Sequence, residues 1–213
     1  NFGYGVISEL AKTHRVIAID RPGSGYSIRP ARSSASLAVQ ADVVAGVIDA
    51  LHLGKPLLVG HSLGGAVSLA TALRHPDKVS GLALVAPLTH MPSKVSAAFA
   101  AFSIRQPWLR ALVGWTLAVP LSIRKREQVM DIVFGPEAVP ADFPIRGGGL
   151  LGLRPSHFIA ASSDMNALES VMPLMQMRYD DLSLPIGVLY GRHDRILDPQ
   201  EQGQALSDRV SIV

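Results

Sequence analysis

Short unbroken runs of apolar residues alternate along this chain with stretches of helical periodicity. The runs are rich in Val, Ile and Leu and do not alternate with polar residues, which is typical of strands covered on both faces in a parallel sheet. Apolar spacings of three and four predict helices at 36–54 and 63–75, the second ended by Pro76. The order strand, helix, strand predicts an α/β fold, a mostly parallel twisted sheet with flanking helices. The predicted strands are residues 14–20, 55–60, 79–87 and 185–191, and a fifth run begins at Arg209.

A long insertion separates the third apolar run from the fourth. Its first part is apolar and helical in pattern, and its middle, 134–155, is loop-like and rich in proline and glycine. Its last part has a helical pattern that Pro173 interrupts. We interpret residues 89–181 as a mainly helical lid, or cap, over the carboxyl edge of the sheet. Residues 1–88 and 182–213 then form the core domain.

The composition favours a folded domain and argues against several classes of function. Of 213 residues, 48% are hydrophobic and 17% are charged, which favours a globular protein with a sizeable core. The net charge of +3 is scattered, and no basic run carries interleaved aromatics, so we expect no nucleic-acid partner. The absence of cysteine excludes disulfides, thiol catalysis and cysteine metal sites. No apolar segment reaches the roughly 20 residues of a membrane span. The default expectation is a cytoplasmic protein, although the chain does not begin with methionine, so its compartment stays open.

The sequence LVGHSLGGA, at 58–66, places one serine between glycines straight after an apolar run. The pattern Gly-x-Ser-x-Gly is weak by itself, but here a predicted strand runs into Gly60 and a predicted helix follows Ser62. Such a tight turn strains the serine backbone and lifts the hydroxyl above the sheet edge, and the N–H of Leu63 becomes a donor for an oxyanion. We expect the flanking glycines because side chains there would collide with the neighbouring strand and helix. A glycine-rich turn that only saves space is the alternative.

A serine nucleophile needs a base, and the base needs an orienting acid. Asp194 is the better candidate for the acid, because it follows the strand at 185–191 in the loop at the carboxyl end of that strand. Asp198 is the competitor, but it directly precedes Pro199 and is more typical of a helix cap. A solvated loop carboxylate is the alternative interpretation of Asp194.

The segments GHSLGG, DRPGSGYS and GRHDRILDP together resemble the α/β-hydrolase superfamily, and more narrowly its capped bacterial hydrolases with a serine nucleophile. The resemblance covers nearly the whole chain. The family's turn after a core strand, D-x-x-G-x-G-x-S, is matched by Asp20, Gly23, Gly25 and Ser27. Two family features lack a match: a His-Gly loop before the first helix, which supplies a second oxyanion donor, and the base histidine.

The family's order is serine, acid and then histidine, and none of the seven histidines follows Asp194. We therefore expect the base roughly ten to fifteen residues beyond the last core strand, after Val213, and the oxyanion loop before the chain begins. On this interpretation the sequence is a fragment that is inactive by itself. The histidines present are His14, His52, His61, His75, His90, His157 and His193.

The resemblance implies a serine hydrolase that works through an acyl-enzyme. Ser62 attacks a carbonyl carbon, Asp194 orients the histidine, the N–H of Leu63 stabilises the oxyanion, and no metal or organic cofactor is needed. Relatives that open epoxides or displace halides carry aspartate in place of Ser62, which argues against both reactions. Ester, thioester or amide hydrolysis, carbon–carbon bond hydrolysis and cofactor-free perhydrolysis stay open.

The insertion suggests a small hydrophobic acyl substrate, because several large apolar side chains cluster in its first part. Packing within the lid explains the same residues equally well. We also keep an alternative of another class, a non-catalytic protein that has this fold and binds a ligand in its pocket. The weaker candidates for substrate binding are His61, His90, Phe102 and Trp108.

Overall fold

The computed structural model describes residues 5–30, 33–94, 96–97 and 99–210, which fall into two compact units. The helical unit comprises Asn1–Ser33 and Ala101–Ser163, and the sheet unit comprises Ser34–Ala100 and Asp164–Val213. The α-helices, in chain order, are α1 (Val6–Leu10), α2 (Leu37–Ala50), α3 (Leu63–Arg74), α4 (Pro107–Thr116), α5 (Ala118–Arg124), α6 (Arg126–Phe134), α7 (Phe143–Arg146), α8 (Pro155–Gln176) and α9 (Ala205–Ser207).

Three parallel strands form the described sheet: β1 (Leu57–His61), β2 (Gly81–Val85) and β3 (Ile186–Leu189), in the order β1-β2-β3. They confirm three of the predicted strands and the α/β fold. His61 pairs with Val85, and Val85 pairs with Leu189, so the strands end in one row. The loops that follow them therefore leave the sheet at the same edge, where ligand sites of parallel sheets gather.

Helices α2 and α3 begin and end where local signals predict. Ser36 caps α2, since its hydroxyl accepts a hydrogen bond from the N–H of Val39 at 3.4 Å. Helix α2 ends at Ala50, four residues before Gly54, and α3 ends at Arg74 directly before His75 and Pro76. Helix α3 is buried from its third residue almost to its end, because it lies between the sheet and α2.

The core of the sheet unit joins residues of the strands, α3 and α8. Leu69, Leu82 and Ile186 are essentially inaccessible to solvent, and so are Met172 and Tyr179. The end of α8 therefore packs with the sheet, although the sequence assigned 164–181 to the lid. The lid itself, residues 89–181, stays a prediction.

Pro173 does not interrupt the helix, which corrects the sequence prediction. Helix α8 runs without a break from Pro155 to Gln176. A proline inside a helix costs about 3 kcal/mol through the lost N–H and the ring clash. The neighbouring Leu168, Met172 and Met175 are buried in the core, and their packing offsets this cost.

The predicted strand at 14–20 is also wrong. Residues 15–20 have no ladder hydrogen bonds within the described part of the chain, and Ile17 and Ile19 are exposed. An apolar run becomes a strand only when another strand pairs with its N–H and C=O groups, and no strand among the described residues does so. The last run, at 209, lies largely outside the described residues.

The helical unit packs around a buried arginine. Arg110 of α4 donates hydrogen bonds to the carbonyl of Ile104 at 2.8 Å and to the hydroxyls of Ser162 at 3.0 Å and Ser163 at 2.7 Å. The predicted loop at 134–155 contains α7 and a 3₁₀ helix, Gly149–Leu153. In the described part of the chain, no helix is both long and apolar enough to cross a membrane.

Candidate active site

Ser62 links β1 to α3 in a conformation that L-amino acids rarely adopt, with φ 51° and ψ −121°. Its N–H donates to the carbonyl of Val85 at 3.2 Å, and its carbonyl accepts from Gly65 at 2.8 Å and Leu88 at 3.0 Å. These contacts fix the backbone on both sides. The hydroxyl is half-buried and makes no hydrogen bond to any described residue. This arrangement leaves Oγ available at the edge of the sheet, as the sequence predicts for a nucleophile elbow.

The glycines around Ser62 differ in whether the surrounding atoms leave room for a side chain. A Cβ at Gly60 would lie 2.6 Å from the carbonyl oxygen of Gly64 and 2.7 Å from Oγ of Ser68. A Cβ at Gly65 would lie 2.4 Å from Cβ of Pro87. At Gly64, by contrast, no atom of the described residues beyond its chain neighbours and the backbone of its own helix lies within 4 Å of the Cβ position. The collision expected of the flanking glycines therefore applies to Gly60 and Gly65, and not to Gly64.

Leu63 is the first residue of α3. The first N–H groups of a helix have no acceptor within the helix, so the N–H of Leu63 can serve an oxyanion. The positive end of the helix dipole favours negative charge at the same place. Adjacent residues thus place a hydroxyl and a helix-terminal N–H at the same point, and the roles of Ser62 as nucleophile and Leu63 as oxyanion donor stay predictions.

Asp194 lies in the loop after β3, at the same edge of the sheet as Ser62. Its Oδ1 accepts hydrogen bonds from the N–H groups of Ile196 at 2.8 Å and Leu197 at 3.0 Å. No described residue donates to Oδ2, so one oxygen holds the loop and the other can receive a proton donor. An orienting acid in a triad requires this division of roles.

The surroundings of Asp194 are polar. A cleft of about 690 Å³ opens beside it, and Pro92, Ser93 and Lys94 also line this cleft. Asp198 lies in the same cleft but is exposed, and its carboxylate accepts from the N–H of Gln200 at 2.8 Å. It starts the turn that follows, in keeping with the capping role expected of it.

His61 and His90 both have a pKa below the ordinary value. Desolvation by the surrounding protein lowers the pKa of His61, and the negative charge of Asp194 opposes this effect. Burial lowers the pKa of His90, and the positive charge of Arg209 adds to it. Nδ1 of His90 lies 2.8 Å from Oγ1 of Thr89, so this ring has a structural partner. Both histidines are favoured in the neutral form.

Phe102 and Trp108 belong to the helical unit. Phe102 packs against Phe158 with ring centroids 5.3 Å apart, whereas Trp108 on α4 is 68% exposed. A role for either side chain in binding substrate stays a prediction. Within the described residues, no three His, Asp or Glu side chains come together as a metal site requires.

Sequence reasoning missed a buried polar cluster beside the site. Gln202 is fully buried in a π-helical turn, Gln200–Gln204, and hydrogen-bonds the segment after β2 at Thr89 and His90. Tyr190, directly after β3, donates its hydroxyl proton to the carbonyl of Pro87. The sequence around Gln202 is polar and typical of an exposed helix, so no local signal marks this residue.

Comparisons with known proteins identify the fold family of this chain. Residues 1–121, more than half of the chain, match the family model described as alpha/beta hydrolase fold. A 2-hydroxymuconate semialdehyde hydrolase of Pseudomonas sp. strain CF600 is 49% identical over 80 residues, which are 38% of this chain and 28% of that protein. The matched segment thus spans less than a third of that relative.

Two solved structures share the fold over almost the full chain. The 2-hydroxy-6-oxo-6-phenylhexa-2,4-dienoate hydrolase of Rhodococcus sp. strain RHA1 superposes with a TM-score of 0.73 at 19% identity, over 98% of this chain and 74% of that one. An esterase of Rhodococcus sp. ECU1013 gives 0.71 at 24% identity, also over 98% and 74%. At these identities the likeness concerns the fold alone.

Proposed function

Because this chain belongs to the α/β hydrolase fold family, we propose that it carries the nucleophile, Ser62, of a hydrolase acting on carboxylic esters or related acyl substrates. One observation carries the proposal. Ser62 has a positive φ at a strand-to-helix turn, and its hydroxyl has no hydrogen-bond partner in the described part of the chain. Backbone strain of this kind persists where the surrounding structure enforces it, and it clusters at functional sites.

The proposed reaction has two halves. Oγ of Ser62 attacks the carbonyl carbon while a histidine base accepts its proton, and the N–H of Leu63 stabilises the oxyanion. The tetrahedral intermediate expels the leaving group, which takes the proton from the histidine, and an acyl-enzyme remains. Water activated by the same histidine then releases the acid. Oδ2 of Asp194 is the acceptor that orients the base.

The base is assigned to none of the seven histidines in the sequence. In this fold the histidine follows the acid along the chain, and every histidine here precedes Asp194. His90 has a structural partner in Thr89, and His61 lies on β1 next to the nucleophile.

A second candidate reaction is hydrolysis of a carbon–carbon bond in a diketone-like substrate. The 49% identity with a protein named as a semialdehyde hydrolase favours it. Ser62, Leu63 and Asp194 take the same places in both reactions. The two candidates differ in the bond that is cleaved.

Labelling with a fluorophosphonate tests the proposal on the protein expressed from its own gene. We expect an adduct at Ser62 that is lost in Ser62→Ala. Ser68→Ala is the matched control, because Ser68 lies in α3 with its hydroxyl bonded to the carbonyl of Gly64 at 2.9 Å. An unlabelled wild-type protein would rule the proposal out. Turnover of a short p-nitrophenyl ester against a vinylogous diketone then separates the two reactions.

A further inference from the structure

The π-helical turn Gln200–Gln204 binds the segment that follows β2 through one fully buried side chain. Oε1 of Gln202 accepts from the N–H of Thr89 at 2.8 Å and of His90 at 3.0 Å, and Nε2 donates to the carbonyl of His90 at 3.1 Å. The hydroxyl of Thr89 donates to the backbone carbonyl of Gln202 at 2.8 Å. Both the oxygen and the nitrogen of this buried amide are hydrogen-bonded to the backbone of Thr89 and His90. The amide therefore fixes that backbone, since each broken hydrogen bond would leave a buried polar group unsatisfied.

A second contact holds the same segment two residues earlier. The hydroxyl of Tyr190 donates to the carbonyl of Pro87. The ring of Tyr190 reaches that position because residue 203 has no side chain. A Cβ at Gly203 would lie 2.8 Å from Cδ2 and Cε2 of the ring. Consecutive residues of the π-helical turn, Gln202 and Gly203, thus position both contacts.

The segment held in this way bears directly on Ser62. The N–H of Leu88, between the two contacts, donates to the carbonyl of Ser62 at 3.0 Å. Pro87 lies against Gly65 in the first turn of α3. A shift of residues 87–90 would therefore move the carbonyl of the strained serine and the turn on which Leu63 sits.

We propose that Gln202 and Tyr190 are positioning residues that hold Leu88 against Ser62 and so keep the nucleophile and the oxyanion donor in register. The inference rests on the proposed function of Ser62 as nucleophile. Neither side chain contacts the reacting atoms. They act through the segment after β2. Through this segment they connect the part of the chain that follows β3, which contains Asp194, to the turn at Ser62 that follows β1.

The test measures fluorophosphonate labelling rate, kcat and KM on a p-nitrophenyl ester, and the thermal midpoint, for the protein expressed from its own gene. We expect Gln202→Met and Tyr190→Phe to lower kcat and the labelling rate about tenfold or more, since small misplacements of reacting groups have effects of this order. KM should stay within about twofold, because uniform binding is not removed. Gln204→Met is the matched control, since Gln204 is exposed in the same turn and bonds only Ser207 and Asp208.

Substitutions of Thr89 test the same inference even if the Gln202→Met variant does not fold. Thr89→Val removes the hydroxyl that bonds Gln202, whereas Thr89→Ser keeps it. We expect the valine variant to label slowly and the serine variant to label at close to the wild-type rate.

The outcomes separate the inference from the proposed function. An unlabelled wild-type protein overturns both. A second outcome overturns the positioning role alone. In it the wild type is labelled, and the folded variants Gln202→Met, Tyr190→Phe and Thr89→Val keep the wild-type kcat. A rise in KM with constant kcat also overturns it. Slow labelling in Thr89→Val with normal labelling in Thr89→Ser and Gln204→Met supports it.

Discussion

Ser62 and Ala86 occupy equivalent positions on neighbouring strands, and both have positive φ, 51° and 40°. Each directly follows the last residue of its strand, and those last residues, His61 and Val85, are paired. Ser62 donates to the carbonyl of Val85 at 3.2 Å, and Ala86 donates to that of Leu189 at 2.7 Å. The ladder thus continues one residue past the strands and holds both in a left-handed conformation. The edge of the sheet is strained at two adjacent points, of which one bears the hydroxyl.

Replacing Ala86 by glycine measures the free-energy cost of this strain. A non-glycine residue in the left-handed region costs about 1–2 kcal/mol, which glycine avoids. Glycine also loses more backbone entropy on folding, about 0.5–1 kcal/mol. We therefore expect Ala86→Gly to leave the free energy of unfolding unchanged or to raise it by up to about 1.5 kcal/mol, as measured by urea unfolding.

Ala83→Gly is the control for that prediction, because Ala83 lies in the middle of β2. It should lower the free energy of unfolding by about 0.5–1 kcal/mol. An equal loss in both variants would show that Ala86 is not strained.

Adjacent glycines at the start of α3 should respond in opposite ways to alanine. The Cβ of Gly64→Ala meets no packed neighbour within 4 Å among the described residues outside its own helix, and alanine improves helix propensity, so we expect a gain of about 0.5–1 kcal/mol. Gly65→Ala places Cβ 2.4 Å from Cβ of Pro87 and should cost about 1–3 kcal/mol. Urea unfolding measures both variants. Stability lost equally in the two would contradict the packing of Pro87 against α3.

Local signals made much of the sheet unit predictable. Ser36 marks the start of α2, Pro76 marks the end of α3, and the glycines around Ser62 indicate a strained turn between strand and helix. The two features that were predicted wrongly depend on residues distant in the sequence. The run at 14–20 has no pairing strand in the part of the chain that the structure describes, and Pro173 lies within a helix whose neighbouring residues are buried in the core.

The missed part of the site has the same physical origin. Gln202 is hydrogen-bonded to backbone groups of residues more than a hundred positions earlier in the chain. No feature of the sequence near Gln202 indicates these hydrogen bonds. Ala86, whose φ is positive, likewise donates to the carbonyl of a residue about a hundred positions later, Leu189. Sequence periodicity identifies faces and turns, but not such long-range polar contacts.

Asp194→Asn separates the charge of the acid from its structural role. Asparagine keeps an oxygen that can accept from Ile196 and Leu197, so the loop should stay in place. Loss of the charge and of the correct histidine tautomer should lower kcat by about 10⁴-fold. Asp198→Asn, whose oxygen can still accept from Gln200, should leave kcat nearly unchanged. Steady-state kinetics on a p-nitrophenyl ester measure kcat for both variants. A larger loss of kcat in Asp198→Asn than in Asp194→Asn would assign the acid to Asp198 instead.

Tyr190 should make stability depend on alkaline pH. Burial, and after it the negative charge of Asp194, raises the pKa of the Tyr190 hydroxyl. An unfolded tyrosine ionises near pH 10. The stability due to this raised pKa is therefore complete below about pH 10 and is lost as pH rises through the folded pKa. We expect the difference in urea midpoint between wild type and Tyr190→Phe to narrow above about pH 10. A gap for Tyr190→Phe that is equally wide at every pH would show that folding does not raise the pKa of this hydroxyl.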